Sequence, residues 1–279
     1  MRLPDTTLRV ERWSVTATPR VGGAPVRLPV AALGAPTARA VVLAHGVGSS
    51  ARFVAAACAP PLVDDHDAVA RLDQRGHGDA TPCPDPADHA LEAYAVDLGA
   101  VVASVPGPVA AVGGISLGGH AAVRAAVPHP RLVALPGWTG PRRLGEGPHA
   151  AIADEVRRTG VAALTDRLRV DASLPSWLRA TLVTDYDRHD PASLAAALIA
   201  LDGADGPTQE EVGALAAPRG PGLSLIGWPD DPGHPLAVAG AWAEHAGSPL
   251  VRLRLTDLEE RLTCLGDAFV SALAAVAPV

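Results

Sequence analysis

The run Val109-Ala110-Ala111-Val112-Gly113-Gly114-Ile115-Ser116-Leu117-Gly118-Gly119 constrains this chain more than any other. An apolar, strand-like stretch leads into a serine flanked by glycines, and a helical stretch follows from Leu117 to Val127. Glycines around a serine suit a sharp strand-to-helix turn, where the backbone is strained and neighbouring elements approach closely. Such a turn lifts the Ser116 hydroxyl above the carboxyl end of a sheet. It also leaves the Leu117 amide at a helix N-terminus, where the first N–H groups have no partner within the helix. The pattern predicts a serine nucleophile held between a buried strand and a helix.

The rest of the chain fits a sheet around that turn. Leu8 to Ala17 and Val26 to Ala31 alternate in polarity and predict an opening antiparallel pair. Ala40-Val41-Val42-Leu43-Ala44 and Ala68 to Leu72 are short apolar runs, as expected of strands buried on both faces. Leu91 to Val105 predicts a helix, and Leu132 to Leu135 the next strand. Strand-like runs then stop from Gly140 to about Pro218, where amphipathic stretches such as Ala150–Arg158 and Ser193–Leu201 appear. Strand–helix alternation resumes with Leu223–Ile226, Leu236–His245, Leu250–Leu255 and Asp267–Val276. The expected fold class is α/β: a mostly parallel twisted sheet with helices on both faces. Residues 1–139 and 219–279 would form its core, and 140–218 an inserted helical cap.

Composition removes several alternatives. A net charge of −7 without long charge runs argues against a nucleic-acid partner. No stretch reads as a membrane span, and Met1-Arg2-Leu3-Pro4-Asp5 lacks the apolar core of a signal peptide. Cys58, Cys83 and Cys264 are scattered, with no C-x-x-C, so neither a disulfide framework nor a zinc site is expected, and the setting predicted is the cytoplasm. The chain has no lysine, so none can act as base or phosphate ligand. No phosphate loop, metal cluster or dinucleotide fingerprint is present, and no cofactor is expected.

Taken in order, the motifs resemble the α/β-hydrolase fold superfamily. The resemblance rests on His45-Gly46, on Asp73-Gln74-Arg75-Gly76-His77-Gly78, on Gly114-x-Ser116-x-Gly118 and on Asp231-Pro232-Gly233-His234-Pro235, each at the end of a predicted strand. It covers nearly the whole chain. It implies that Ser116 is the nucleophile, that the amides of Val47 and Leu117 form the oxyanion hole, and that Asp231 is the acid, with Asp230 as the fallback.

One element of that pattern is missing. The family's histidine lies between the last strand and the closing helix, and no histidine follows His245 here. Counted back from Phe269, the vacant position falls near Glu259. Serine needs a base within hydrogen-bond reach, and loss of one triad member leaves only about 10³–10⁴-fold catalysis over water. Replacement bases to weigh are His234, three residues after Asp231, and His120, one helical turn beyond Ser116. Their plain readings are a wall position and a packing histidine. His45 and His77 suit support of their turns, His149 and His189 fall in the cap, and His245 falls at the far end of the sheet. Asp231 and Glu259 could instead form a carboxylate pair for proton transfer, against which Glu259-Glu260-Arg261 reads as a solvated turn.

Trp138 and Trp228 follow predicted strands at the edge where open α/β sheets bind ligands. With His45 they are expected to contact the substrate, a hydrophobic small molecule. Trp177 falls in the cap and Trp242 on a packing helix. Three functions remain open: an enzyme with a degenerate triad acting on an ester, thioester, lactone or related carbonyl; a non-hydrolytic lyase or cyclase; and a ligand-binding scaffold without chemistry.

Overall fold

The computed structural model describes residues 10–18, 25–35, 37, 39–64, 68–125, 131–137, 148–172, 176–216, 220–229, 233–253, 257 and 261–276. Eight strands form one sheet: β1 (Val10–Ala17), β2 (Val26–Leu33), β3 (Ala40–Ala44), β4 (Ala68–Leu72), β5 (Val109–Ile115), β6 (Arg131–Leu135), β7 (Leu223–Gly227) and β8 (Leu250–Arg252). Their order is β1-β2-β4-β3-β5-β6-β7-β8. The β1–β2 and β2–β4 pairs are antiparallel, and the remainder of the sheet is parallel. As the runs of β-branched and small apolar residues require, every residue of β3, β4 and β7 is buried. Edge strand β1 alternates between more and less exposed positions.

Helices cover both faces. One core contains Leu98 and Val101 of α3 (Leu91–Ser104), Ala121 of α4 (Leu117–Arg124) and Trp242 of α9 (Leu236–Ala246). The other contains Val54 of α1 (Ala51–Ala57), Leu62 of α2 (Ala59–Asp64) and Phe269 of α10 (Cys264–Ala275). Two cores on opposite faces hold the central strands between them, which gives the carboxyl ends of β3, β4, β5 and β7 fixed relative positions.

Between β6 and β7 the described residues form helices only: α5 (Pro148–Val170), α6 (Ser176–Tyr186), α7 (Pro191–Asp202) and α8 (Gln209–Gly213). Helix α5 is longer than the Ala150–Arg158 stretch suggested, and it breaks at Gly160, whose φ of 75° is non-helical. Helix α7 starts where Asp190 caps the Ser193 amide and Pro191 occupies the first turn. Strand β8 runs from Leu250 to Arg252, and residues 254–255 of the expected strand lie outside the described residues. No helix among the described residues is long and apolar enough to cross a membrane.

Candidate active site

Ser116 sits between β5 and α4 with φ 53° and ψ −117°, the only residue other than glycine at positive φ among those described. A side chain in this region costs roughly 1–3 kcal/mol, so the surroundings must impose it. They do so by close approach. A Cβ on Gly114 would lie 2.3 Å from the Gly118 carbonyl carbon, and one on Gly118 would lie 2.4 Å from the Ala44 oxygen. The Ser116 amide donates to the Leu135 carbonyl at 2.7 Å, and its carbonyl accepts from the His120 amide at 2.9 Å. The elbow is thus pinned to β3, β6 and the first turn of α4 together.

The turn after β3 meets the elbow from the other side. The Gly118 amide donates to the His45 carbonyl at 3.1 Å, and a Cβ on Gly46 would touch Ser116 Cβ at 3.4 Å. Neither the Val47 nor the Leu117 amide is taken by a turn or loop hydrogen bond among the described residues. Ser116 itself is half-buried, and none of the described residues hydrogen-bonds its hydroxyl.

His45 corrects an expectation. It was expected to contact substrate, yet it is fully buried with both ring nitrogens engaged by backbone. Nδ1 donates to the Gly46 carbonyl at 2.7 Å, and Nε2 accepts from the Gln74 amide at 3.0 Å. A carbonyl can only accept and an amide only donate, so the ring is the neutral Nδ1–H tautomer. Gln74 returns a bond from its side-chain nitrogen to the His45 carbonyl at 2.6 Å. His45 supports the turn that carries Val47. Burial, against the pull of Asp73, lowers its pKa.

His120 is buried, with its ring 5.5 Å from that of Trp242. Its Nε2 has no hydrogen-bond partner among the described residues. It borders a cavity of about 20 Å³, shared with Leu117 and Tyr94, that is large enough for one water. Burial drives its pKa down to about 4. His234 is half-buried and stacks on Trp228, ring centroids 6.2 Å apart and planes 16° from parallel. Trp228 is buried at the end of β7, bridged to Pro235. His149 pairs with Asp202 at 2.8 Å. Asp231, Glu259 and Trp138 lie outside the described residues.

Residues that the sequence did not single out connect the helical insertion to this site. Asp185, buried near the end of α6, accepts from Ser50 at 2.7 Å and from Ser49 at 3.0 Å. Tyr186 lies over Gly48, where an added Cβ would come within 2.7 Å of its hydroxyl. Arg188 pairs with Asp79 at 2.7 Å, and His189 Nδ1 accepts from the Gly78 amide at 2.9 Å. His189 also packs edge-on to His77, ring centroids 5.2 Å apart. Nothing in local spacing marks these partners, because each bond joins segments about a hundred residues or more apart. Beneath them Arg75 is fully buried and holds Asp97 through two bonds of 2.7 Å. The Asp73–Gly78 motif is therefore a structural knot.

The strained serine, the glycine cradle and the facing turn on a mostly parallel sheet define an α/β-hydrolase fold. The chain belongs to the alpha/beta hydrolase family, whose family model matches residues 41–268. Among solved structures, the bottromycin epimerase BotH in complex with bottromycin A2 is similar at 24% identity and a TM-score of 0.66. That match covers 94% of this chain and 99% of that one. The enol-lactonase from Burkholderia xenovorans LB400 matches at 20% identity and a TM-score of 0.70, covering 89% and 97%. A thermophilic esterase from Thermogutta terrifontis, with malate bound, matches at 20% and 0.71, covering 95% and 98%. At these identities the likeness concerns the fold. No curated protein sequence matches the chain.

Proposed function

We propose that this protein is a serine enzyme with a degenerate triad, acting on an ester, thioester, lactone or related carbonyl of a hydrophobic small molecule. The observation that carries this reading is Ser116, held at φ 53° and half-exposed opposite the turn bearing Val47. Strain of that kind persists only where the surroundings impose it. In this reading Ser116 Oγ attacks the carbonyl carbon, the carbon–oxygen π pair moves onto oxygen, and the Val47 and Leu117 amides receive the oxyanion. The serine proton passes to a base. We assign that role to His234, which is less buried than His120 and stacks on Trp228. His120 suits the role poorly, since its ring packs on Trp242 and a pKa of about 4 makes it a weak base at neutral pH.

A second reading is favoured by one observation: no histidine follows His245, and none of those described bonds Ser116 Oγ. A site that keeps the oxyanion-hole amides and two carboxylates, Asp231 and Glu259, suits non-hydrolytic chemistry: one carboxylate takes an acidic proton from the carbon beside the carbonyl, the amides hold the enolate oxygen, and a proton then returns to that carbon. The similar epimerase fold is consistent with this. A pocket that binds ligand without chemistry is the remaining outcome.

The test is a fluorophosphonate probe followed by mass spectrometry, alongside hydrolysis of nitrophenyl butyrate. A slowly formed adduct on Ser116 that is absent in Ser116→Ala supports the serine enzyme. Solvent deuterium entering an acidic carbon of a trial substrate, with no adduct, favours the second reading. A kcat on the order of 10 s⁻¹ or more, typical of competent enzymes, overturns the degenerate triad.

A further inference from the structure

A groove of about 880 Å³ runs between α1 and the β1–β2 hairpin, and Ser116 is not part of its wall. Cross-strand register sets its charge. Arg12 on β1 stands opposite Ala31 on β2, which stands opposite Arg71 on β4. Directly opposed residues share one face of a sheet. Leu43, opposite Arg71 on β3, belongs to the core beneath α1 and α10, which places the row on that face. Arg27, Arg52 of α1 and Arg188 complete five arginines around one groove, in a chain whose net charge is −7.

Arg27 donates from Nη2 to the Asp79 carbonyl at 2.9 Å, but the other four arginines are under-partnered. Arg71 is only 8% exposed, yet its guanidinium makes one hydrogen bond, from Nη1 to the Ala31 carbonyl at 3.3 Å. A guanidinium carries five N–H donors. Arg12, Arg52 and Arg71 form no ion pair among the described residues. Arg188 Nε is buried and has no partner there either. The two carboxylates in the wall are already in use. Asp73 accepts the amides of Ala51 and Asp79, and Asp79 holds Arg188. Burial, and then the charge of Arg12, lower the pKa of Arg71 against the pull of the Asp73 carboxylate. Pro29, Ala31 and Ala55 supply apolar wall between them.

We propose that this groove binds a small molecule carrying two oxyanion groups, carboxylate or phosphoryl, on a short apolar body. One oxyanion bridges Arg12 and Arg71, and the other reaches Arg52 and Arg188. The planar guanidinium fork matches both oxyanions with paired hydrogen bonds. The ligand's charge offsets the repulsion between Arg12 and Arg71, and the volume lies within the roughly 300–1,000 Å³ of small-molecule sites.

Calorimetric titration of the whole chain with pyrophosphate and, separately, with glutarate tests this. At least one should bind with Kd below about 1 mM, and the tighter of the two tells phosphoryl from carboxylate ligands. Arg12→Gln and Arg52→Gln remove exposed side chains that make no bonds among the described residues, so both should fold. Each should weaken binding about tenfold, the worth of one hydrogen-bonded charge. Arg157→Gln, an exposed control on α5, should change nothing. The proposal is overturned if neither probe binds below about 1 mM. It is equally overturned if Arg12→Gln and Arg52→Gln bind like wild type, or if Arg157→Gln weakens binding as much as they do.

Discussion

Gly137 lies directly beneath the nucleophile: a Cβ built on it would fall 2.6 Å from Ser116 Oγ. The second residue after β6 therefore sets where that hydroxyl can sit. Gly137→Ala should push Oγ into another rotamer. Displacement of about 1 Å can cost on the order of 10²-fold in rate. The fluorophosphonate labelling rate should fall at least about tenfold while the melting temperature stays within a few degrees. Labelling at the wild-type rate would mean the hydroxyl does not occupy this position.

Ser116→Gly should stabilise the protein. Glycine adopts φ 53° without the clash that serine suffers, so the substitution should recover on the order of 1 kcal/mol. Chemical denaturation should show a higher midpoint with an unchanged slope. A lower midpoint would mean that the backbone at Ser116 is not strained.

The Arg75–Asp97 pair makes the opposite prediction. Both side chains are buried, and Arg75 also donates to the Asp88 carbonyl at 2.8 Å. Arg75→Met leaves Asp97 buried without its cation and should destabilise by about 3–5 kcal/mol. The double variant Arg75→Met with Asp97→Leu should regain most of that loss. Equilibrium unfolding of the three variants measures the coupling.

Acid should destabilise the fold through its histidines. His45, His77, His89, His120 and His189 all have pKa values lowered by burial. The unfolded chain binds those protons near pH 6.5 and the folded chain does not, so stability is full above about pH 6.5 and falls below it. The buried carboxyls Asp97 and Asp185, whose pKa values are raised, act in the reverse sense at lower pH. Thermal melts from pH 8 to pH 5 should show a decline beginning near 6.5. His189→Gln should make it shallower, because a protonated His189 cannot accept from the Gly78 amide. A flat profile would contradict these pKa directions.

The sequence made the sheet readable because its strands are short apolar runs closed by glycine and charge. β3 and β4 match the expected bounds, and the turn at Ser116 was legible from glycines alone. The arrangement around it was less so. His45 could be read from position either as a pocket residue or as a support of its turn, and its two backbone partners decide for the support. Gly137 had a signal, a Pro-Gly pair ending a predicted strand, but the reason for it is the distance to Ser116 Oγ. The Thr208–Glu211 capping box that starts α8 is also legible in the spelling Thr-x-x-Glu. Asp185, Tyr186 and His189 had no signal, since their partners are set by tertiary packing.

Those last residues limit how the protein can be rebuilt. Within one stretch of five residues, Asp185, Arg188 and His189 bond to Ser49, Ser50, Gly78 and Asp79. A chimera that exchanges the segment between β6 and β7 for a homologue's would sever all of these bonds unless residues 185–189 travel with the recipient scaffold. Recombination points for directed evolution therefore belong on either side of that stretch and not within it.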